Sequence, residues 1–454
     1  MEKQKEVQEN KMGTMPINKL LISMSLPMII SMLVQAMYNV VDSIFVSRLG
    51  EDALVAVSLA FPIQNLMIAV AVGTSVGINA LLSRCLGEKK FKEANLCALN
   101  GVFLAVLSYI VFAIFGFIFA ERFFVGQTSN PQIIKYGTQY LFVCTVFSFG
   151  MFLQIIMDRL LQSTGRTFYN MITQGTGAII NIILDPILIF GLFGFPRLEV
   201  TGAAIATVAG QIVGMTLSII FNIKVNKDIH LTIKGFKPHL ETIKKIYAVG
   251  LPSIIMQSIT SVMTFGINKI LIMFTSTAVS VFGVYFKMQS FVFMPVFGLN
   301  NGMVPIVAYN YGAKKKKRII QTVKMSIVIA TGIMLFGFAI FQIFPAQLLK
   351  MFNATDDMLT IGTYALRIIS ISFIFAGFCI ILLSVFQALG HGMLSLIVSL
   401  IRQLVVILPV AFILAKLGGL HAVWYAFPIA DIFSVTFSII FLRKIYHTTI
   451  KNLE

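Results

Sequence analysis

Charge is scarce in this sequence. Asp, Glu, Lys and Arg make up only 12% of its 454 residues, about half the share usual in a soluble globular chain. With 57% hydrophobic residues and a mean hydropathy of +0.90, an ordinary aqueous domain is excluded and a polytopic membrane protein is expected. Cysteine is also sparse. Cys85, Cys97, Cys144 and Cys379 show no CxxC spacing and lie in or beside apolar runs. That argues against disulfides and metal ligands, and for four small apolar side chains in a reduced protein. HExxH and Walker A patterns are missing, and the five histidines (His230, His239, His391, His421, His447) fall in or beside loops. Neither an intramembrane enzyme nor transport driven by ATP bound to this chain is expected, and no cofactor. Acidic residues are outnumbered 18 to 35, for a formal charge of +17. The excess lysines and arginines sit mostly in alternate loops, as membrane orientation requires, so nucleic acid is not an expected partner.

What the chain does have is long apolar runs. Twelve reach the roughly 20 residues that a membrane helix needs: 20–47, 54–82, 95–120, 133–157, 168–194, 199–223, 245–274, 279–308, 321–345, 358–387, 394–417 and 421–443. The basic loops between them place both termini in the cytoplasm of a multi-pass plasma-membrane protein. The run from Lys314 to Arg318 reads as a topology anchor beside anionic lipid. The expected plan is an N-terminal tail (1–19), an N-lobe of six spans (20–223), a basic linker (224–244), a C-lobe of six spans (245–443) and a C-terminal tail (444–454). The tail carries no cleavage signature, so nothing is expected to be removed.

The two lobes repeat one another. Ser25-Leu26-Pro27 returns 225 residues later as Gly250-Leu251-Pro252, and Phe61 and Gln64 return as Phe286 and Gln289. Gly73, Gly77 and Gly87-x-Lys89-Lys90 return as Gly298, Gly302 and Gly312-x-Lys314-Lys315, and Gln162-x-x-Gly165 as Gln387-x-x-Gly390. Six spans per unit give both halves the same orientation, related by an axis along the membrane normal, with substrate sites at their interface. Such a duplicated plan is that of a secondary transporter.

Polar groups within the spans are the candidate functional residues. Asp42 sits near the outer end of the first span, after Asn39 and after Pro27, which leaves a backbone carbonyl without its helical donor. Asn181 and Asp185 in the fifth span lie four apart and share a helix face, with Pro186 next to them. Carboxylates at membrane depth usually mark an ion or proton pathway. If Asp42 and Asp185 face one cavity, they resist double ionisation and their titrations couple. Such a site holds a proton or, with Asn181 and backbone oxygens, a sodium ion. The plainer readings put Asp42 at the headgroups and let Asp185 cap a kink. Asn39, Gln64, Lys287, Gln289, Arg402 and Asp431 are the polar residues expected at a substrate cavity. For Arg402 with Asp431 an ion pair that fixes helix packing is the alternative, and Lys287, like Arg367, can snorkel to the headgroups. Asp158 reads as an inner-end residue, solvated or paired with Arg159 or Arg166. The 23 Met and 41 Phe suit a cavity for flat cations, though they also fill lipid-facing surface.

Ser25-Leu26-Pro27, Tyr38-Asn39-Val40-Val41-Asp42, Phe45-Val46-Ser47-Arg48-Leu49-Gly50, Leu161-Gln162-Ser163-Thr164-Gly165-Arg166 and Asn181-x-x-x-Asp185-Pro186 resemble the multidrug and toxic compound extrusion (MATE) family of antiporters, in its MepA/DinF-like branch. The resemblance runs from Leu20 to about Tyr446. It implies an exporter of cationic or amphiphilic drugs, driven by inward H⁺ or Na⁺, with V-shaped lobes around a central cleft; a monomer is expected. It assigns cation coupling to Asp42, Asp185, Asn181 and Thr201, and a hinge to Pro27. Another branch carries carboxylates in the seventh and tenth spans. This chain has none there, only Gln257, Thr260 and Asn268 in the seventh, which counts against a C-lobe cation site of that kind. The competing reading is a flippase or exporter of a lipid-linked or endogenous metabolite.

Overall fold

Repeat-related residues end helices in the same way in both halves, and the architecture follows from that. The structure is a computed structural model describing residues 9–453 apart from 233 and 353. The first eight residues of the expected N-terminal tail (1–19) and the last of the C-terminal tail lie outside the described residues. Among the described residues every regular element is helical. A short α1 (Lys11–Thr14) leads into α2 (Ile17–Ser47), α3 (Glu51–Gly87), α4 (Phe91–Val125), α5 (Pro131–Val146), α6 (Phe149–Ser163), α7 (Thr167–Phe190) and α8 (Glu199–Lys224). The second half contains α9 (Leu240–Leu271), α10 (Ser276–Gly312), α11 (Lys316–Ile343), α12 (Pro345–Lys350), α13 (Asp356–Ile369) and α14 (Phe373–Ala388). It ends with α15 (Gly392–Leu400), a π-helical turn (Ile401–Ile407), α16 (Leu408–Val423) and α17 (Ala426–Ile445). By length and composition eleven helical segments among the described residues can cross a membrane; α5 and α6, bent by 44° at their junction, supply the twelfth. The protein is all-α, with two six-span halves.

Gly165 and Gly390 show why the repeat keeps a glycine. Their φ angles are +83° and +85°, a region that costs a side chain about 1–2 kcal/mol. There the Arg166 and His391 N–H groups turn back to Leu161 O and Phe386 O, each at 2.7 Å, and close α6 and α14.

The halves pack crosswise, α2 on α10 and α3 on α9. Gly77 and Gly302 permit the approach. A Cβ on Gly77 would run into the Ile246 carbonyl, and one on Gly302 into the Ser25 backbone. Ser25 Oγ donates to Leu299 O at 3.2 Å across the same contact. Gly302→Val is therefore expected to cost about 1–3 kcal/mol by overpacking. Thermal melting of the purified protein checks this, and an unchanged melting point would refute it. Moving away from the lysine-rich end, Asn65 Nδ2 to Ser261 Oγ, 3.0 Å, is the last side-chain hydrogen bond between the lobes among the described residues.

At the lysine-rich end the segment from Glu9 to Met15 straps the lobes together. Asn10 Nδ2 donates to Thr164 O (3.0 Å) and Asp228 Oδ1 (3.3 Å), holding the N-lobe and the linker. From the C-lobe, Asn310 and Arg318 donate to Met12 O at 3.0 and 2.9 Å, and Arg318 also to Met15 O at 2.7 Å. Lys315 pairs with Glu9 and holds that carboxyl below the usual carboxylate range. Where the sequence suggests a free tail, residues 9–15 are a packed strap, with Met12 fully buried.

Candidate functional site

Two close contacts fix how α7 lies on the antiparallel α8. Gly177 meets Gly210, and Gly202 meets the Leu188 backbone. In that register Asn181, one turn past Gly177, falls opposite Thr207, and Asp185 lies one turn further on the same face. Asn181 and Asp185 are both buried. A carboxylate only accepts and a backbone N–H only donates, which sets the Asn181 amide. Its nitrogen donates to Asp185 Oδ2 (3.2 Å), and its oxygen accepts from the Thr207 N–H (3.1 Å) and hydroxyl (3.2 Å).

Helix α2 packs against α7 and brings Asp42 to this point. The carboxyls of Asp42 and Asp185 are close neighbours here. One oxygen of each, Asp42 Oδ1 and Asp185 Oδ1, is buried without a protein donor. Two such groups can share one proton, whereas two ionised carboxylates this close repel strongly at low dielectric. An apolar cluster that includes Phe124, Leu141, Ile189 and Ala203 packs the same end of the N-lobe.

A cavity of about 260 Å³ runs inward from Tyr38, Asn39, Asn181 and Thr207 to Asp158 and Arg159, and Asn301 of the other lobe completes its wall. Asp42 itself faces a neighbouring pocket of about 350 Å³ with Gln64. Gln64 Nε2 is held by Tyr140 Oη at 3.1 Å and Cys144 Sγ at 3.7 Å. Helix α2 continues unbroken through Pro27, where Ser31 Oγ donates to Pro27 O at 3.0 Å. All four cysteines are buried and free.

The structure places Asp185 and Asn181 near Asp42, with Asn39 and Asn181 on the cavity wall and Gln64 on the Asp42 pocket. Thr201 is a correction: its hydroxyl donates to Gln139 Oε1 at 3.2 Å, and Thr207 takes the place beside Asn181. The glycine contacts explain this, since they put Thr201 opposite the chain beyond Asp185. Lys287 is exposed on α10 and Gln289 half-buried, and neither lines the cavity or the Asp42 pocket. Arg402 and Asp431 form an ion pair away from both. Asp158 is a second correction. It is 3% exposed, its Oδ1 accepts from Thr173 Oγ1 at 2.7 Å, and no ion pair to it forms among the described residues. Sequence reasoning passed over Asp158 and Arg159 as cavity residues because they stand at the edge of an apolar run. The available signal was two adjacent opposite charges with no solvent-loop residues around them.

Thr207→Ala removes both the hydroxyl and the rotamer restraint behind Asn181, and is expected to cost about 1 kcal/mol of site stability. The melting point of the purified protein should fall for Thr207→Ala and stay near wild type for Thr201→Ala. The reverse order would return Thr201 to the site.

Comparison with known proteins adds the following. A family model described as MatE matches residues 27–187 and 252–413. The multidrug export protein MepA of Staphylococcus haemolyticus is 26% identical over 419 residues, covering 91% of each chain. A FAD transporter of Shewanella oneidensis is 27% identical over 417 residues, covering 92% of each. A solved outward-facing conformation of a multidrug resistance MATE family transporter superimposes with a TM-score of 0.92 at 25% identity, over 98% of this chain and 99% of that one.

Proposed function

The chain belongs to the MatE family, and on that premise we propose that it exports organic cations and amphiphilic drugs by antiport with an ion, H⁺ in preference to Na⁺. The observation that carries this reading is the proximity of Asp42 and Asp185, backed by Asn181, which itself lines a cavity bordered by both lobes. Protonation of the pair removes the negative charge that a cationic guest needs, so ion and drug exclude one another. That exclusion is the differential affinity without which binding cannot drive a conformational change. Release of the drug on the outside then lets α2 bend at Pro27 and the lobes rock inward, with the lysine-rich end cytoplasmic.

The preference for H⁺ rests on Asn181. Its amide turns N–H, not oxygen, toward Asp185, which removes one of the oxygen ligands that sodium would want. A second reading, export of a polar metabolite, is favoured by the charged inner end of the cavity at Asp158 and Arg159 and by the similarity to a protein described as a FAD transporter. Proteoliposomes loaded with an ethidium-like dye, with pH and Na⁺ gradients imposed separately, test the proposal. Efflux driven by the pH gradient alone is expected. Efflux driven only by Na⁺ would overturn the proton assignment, and no efflux under either gradient would overturn drug export.

A further inference from the structure

We propose that the strap of residues 9–15 is a latch. It holds the lobes together at the lysine-rich end, and Asn10 must let go of the N-lobe and the linker before the cavity opens on that side. This rests on the export reading and names the part of the chain that gates it.

The strap is held unequally. From the C-lobe, Asn310, Lys315 and Arg318 donate to the carbonyls of Met12, Gly13 and Met15 at 2.7–3.0 Å, and Lys315 also pairs with Glu9. Most of these donors are charged, which makes the stronger kind of hydrogen bond. On the other side the hold is one neutral amide, Asn10 Nδ2, shared between Thr164 O at 3.0 Å and Asp228 Oδ1 at 3.3 Å. Asp228 is a linker residue clamped to the N-lobe. Arg166 pairs with its other oxygen, and also donates to Val225 O and to the same Thr164 O, each at 3.1 Å. Asp228 thus keeps one oxygen for the N-lobe and gives the other to the strap. The strap continues into α2, whose inner part rests on α10 through Ser25 and Gly302. When the lobes part at this end, the seam with the weakest bonds is therefore Asn10. The repeat argues that the fold itself does not need this arrangement. At the 225-residue offset Asn310 and Arg318 correspond to Cys85 and Glu93, which cannot make the same contacts, so the latch belongs to one half only.

The test reads conformation without any substrate. Nitroxides are placed at Lys92 and Lys317, exposed positions on opposite lobes at this end or half-exposed beside it, and full-length protein in nanodiscs is measured by double electron–electron resonance. The four native cysteines are buried, which leaves the introduced thiols to react. Asn10→Asp keeps the side-chain oxygen that caps α1 but loses the donor and repels Asp228. Asn10→Asp and Asp228→Ala should each raise the ratio of long to short distances about tenfold over wild type. Asn95→Ala is the control, because it removes the acceptor of the His230 N–H in the same linker and leaves the strap alone. No rise in either latch variant overturns the proposal, and so does an equal rise in Asn95→Ala. A second measurement covers variants that fold poorly. Asn10→Cys with Asp228→Cys, joined by a short bis-thiosulfonate, should stop pH-driven dye efflux until dithiothreitol separates them, and full efflux while they are joined overturns the latch. If the protein exports no dye at all, the export reading fails and the distances still decide the latch.

Discussion

Asp185→Asn is expected to abolish dye accumulation driven by a pH gradient, while expression, melting point and resting dye binding change little. Asparagine matches the shape of a protonated aspartic acid and can still bond Asp42 and Asn181, so the packing that buries this position survives. It cannot gain or lose a proton, so only Asp42 is left to titrate and the two carboxyls no longer share a proton. The size of the loss reports stoichiometry. One pH unit is worth about 1.4 kcal/mol per proton, and exchange of one proton for one monovalent cation moves no net charge, which supports about tenfold accumulation. Two protons add a voltage contribution of about 2.3 kcal/mol per 100 mV. The total is then about 5 kcal/mol, or on the order of 5,000-fold. Either ratio should fall to unity in Asp185→Asn, and likewise in Asp42→Asn. A variant that keeps full pH-driven efflux at normal expression strikes its residue from the mechanism.

The parts of this protein legible in its sequence are those that depend on local composition or on the repeat. Twelve spans follow from apolar length, and the 225-residue offset fixes helix ends closely enough that α3 and α10 match at both termini. Gly77 and Gly302 stood out as repeat markers, and they turn out to be where one lobe touches the other. What escaped the sequence depends on tertiary register. The run 133–157 gives only a slight sign of its 44° bend, Gly150 two residues past the junction at Phe147 and Ser148, with no proline there. Nothing local distinguishes Thr207 from Thr201; only the meeting of Gly177 with Gly210 does. Asp158 and Arg159 look solvated in one dimension and are buried because helices packed beside α6 enclose them.

Breaking the Arg402–Asp431 pair from one side should produce the largest loss of stability. Asp431 is fully buried, its Oδ1 accepts from Arg402, and its Oδ2 has no partner. Arg402 lies on the π-helical turn of the eleventh span, where the wider coil re-aims side chains relative to an α-helix and presents this one to α17. Asp431→Ala leaves a guanidinium without its counter-charge. The expected cost is about 3–5 kcal/mol, toward the lower end because the Arg402 side chain is 28% exposed. Replacing both residues, Arg402→Met with Asp431→Leu, removes the charge and its desolvation together, and should return melting to within about 1 kcal/mol of wild type or above it. The double variant also separates packing from transport. Neither residue lines the N-lobe cavity or the Asp42 pocket, so a folded double variant should keep pH-driven efflux. If it folds and does not transport, the pair lies on the substrate path and the C-lobe takes part in transport through these two residues.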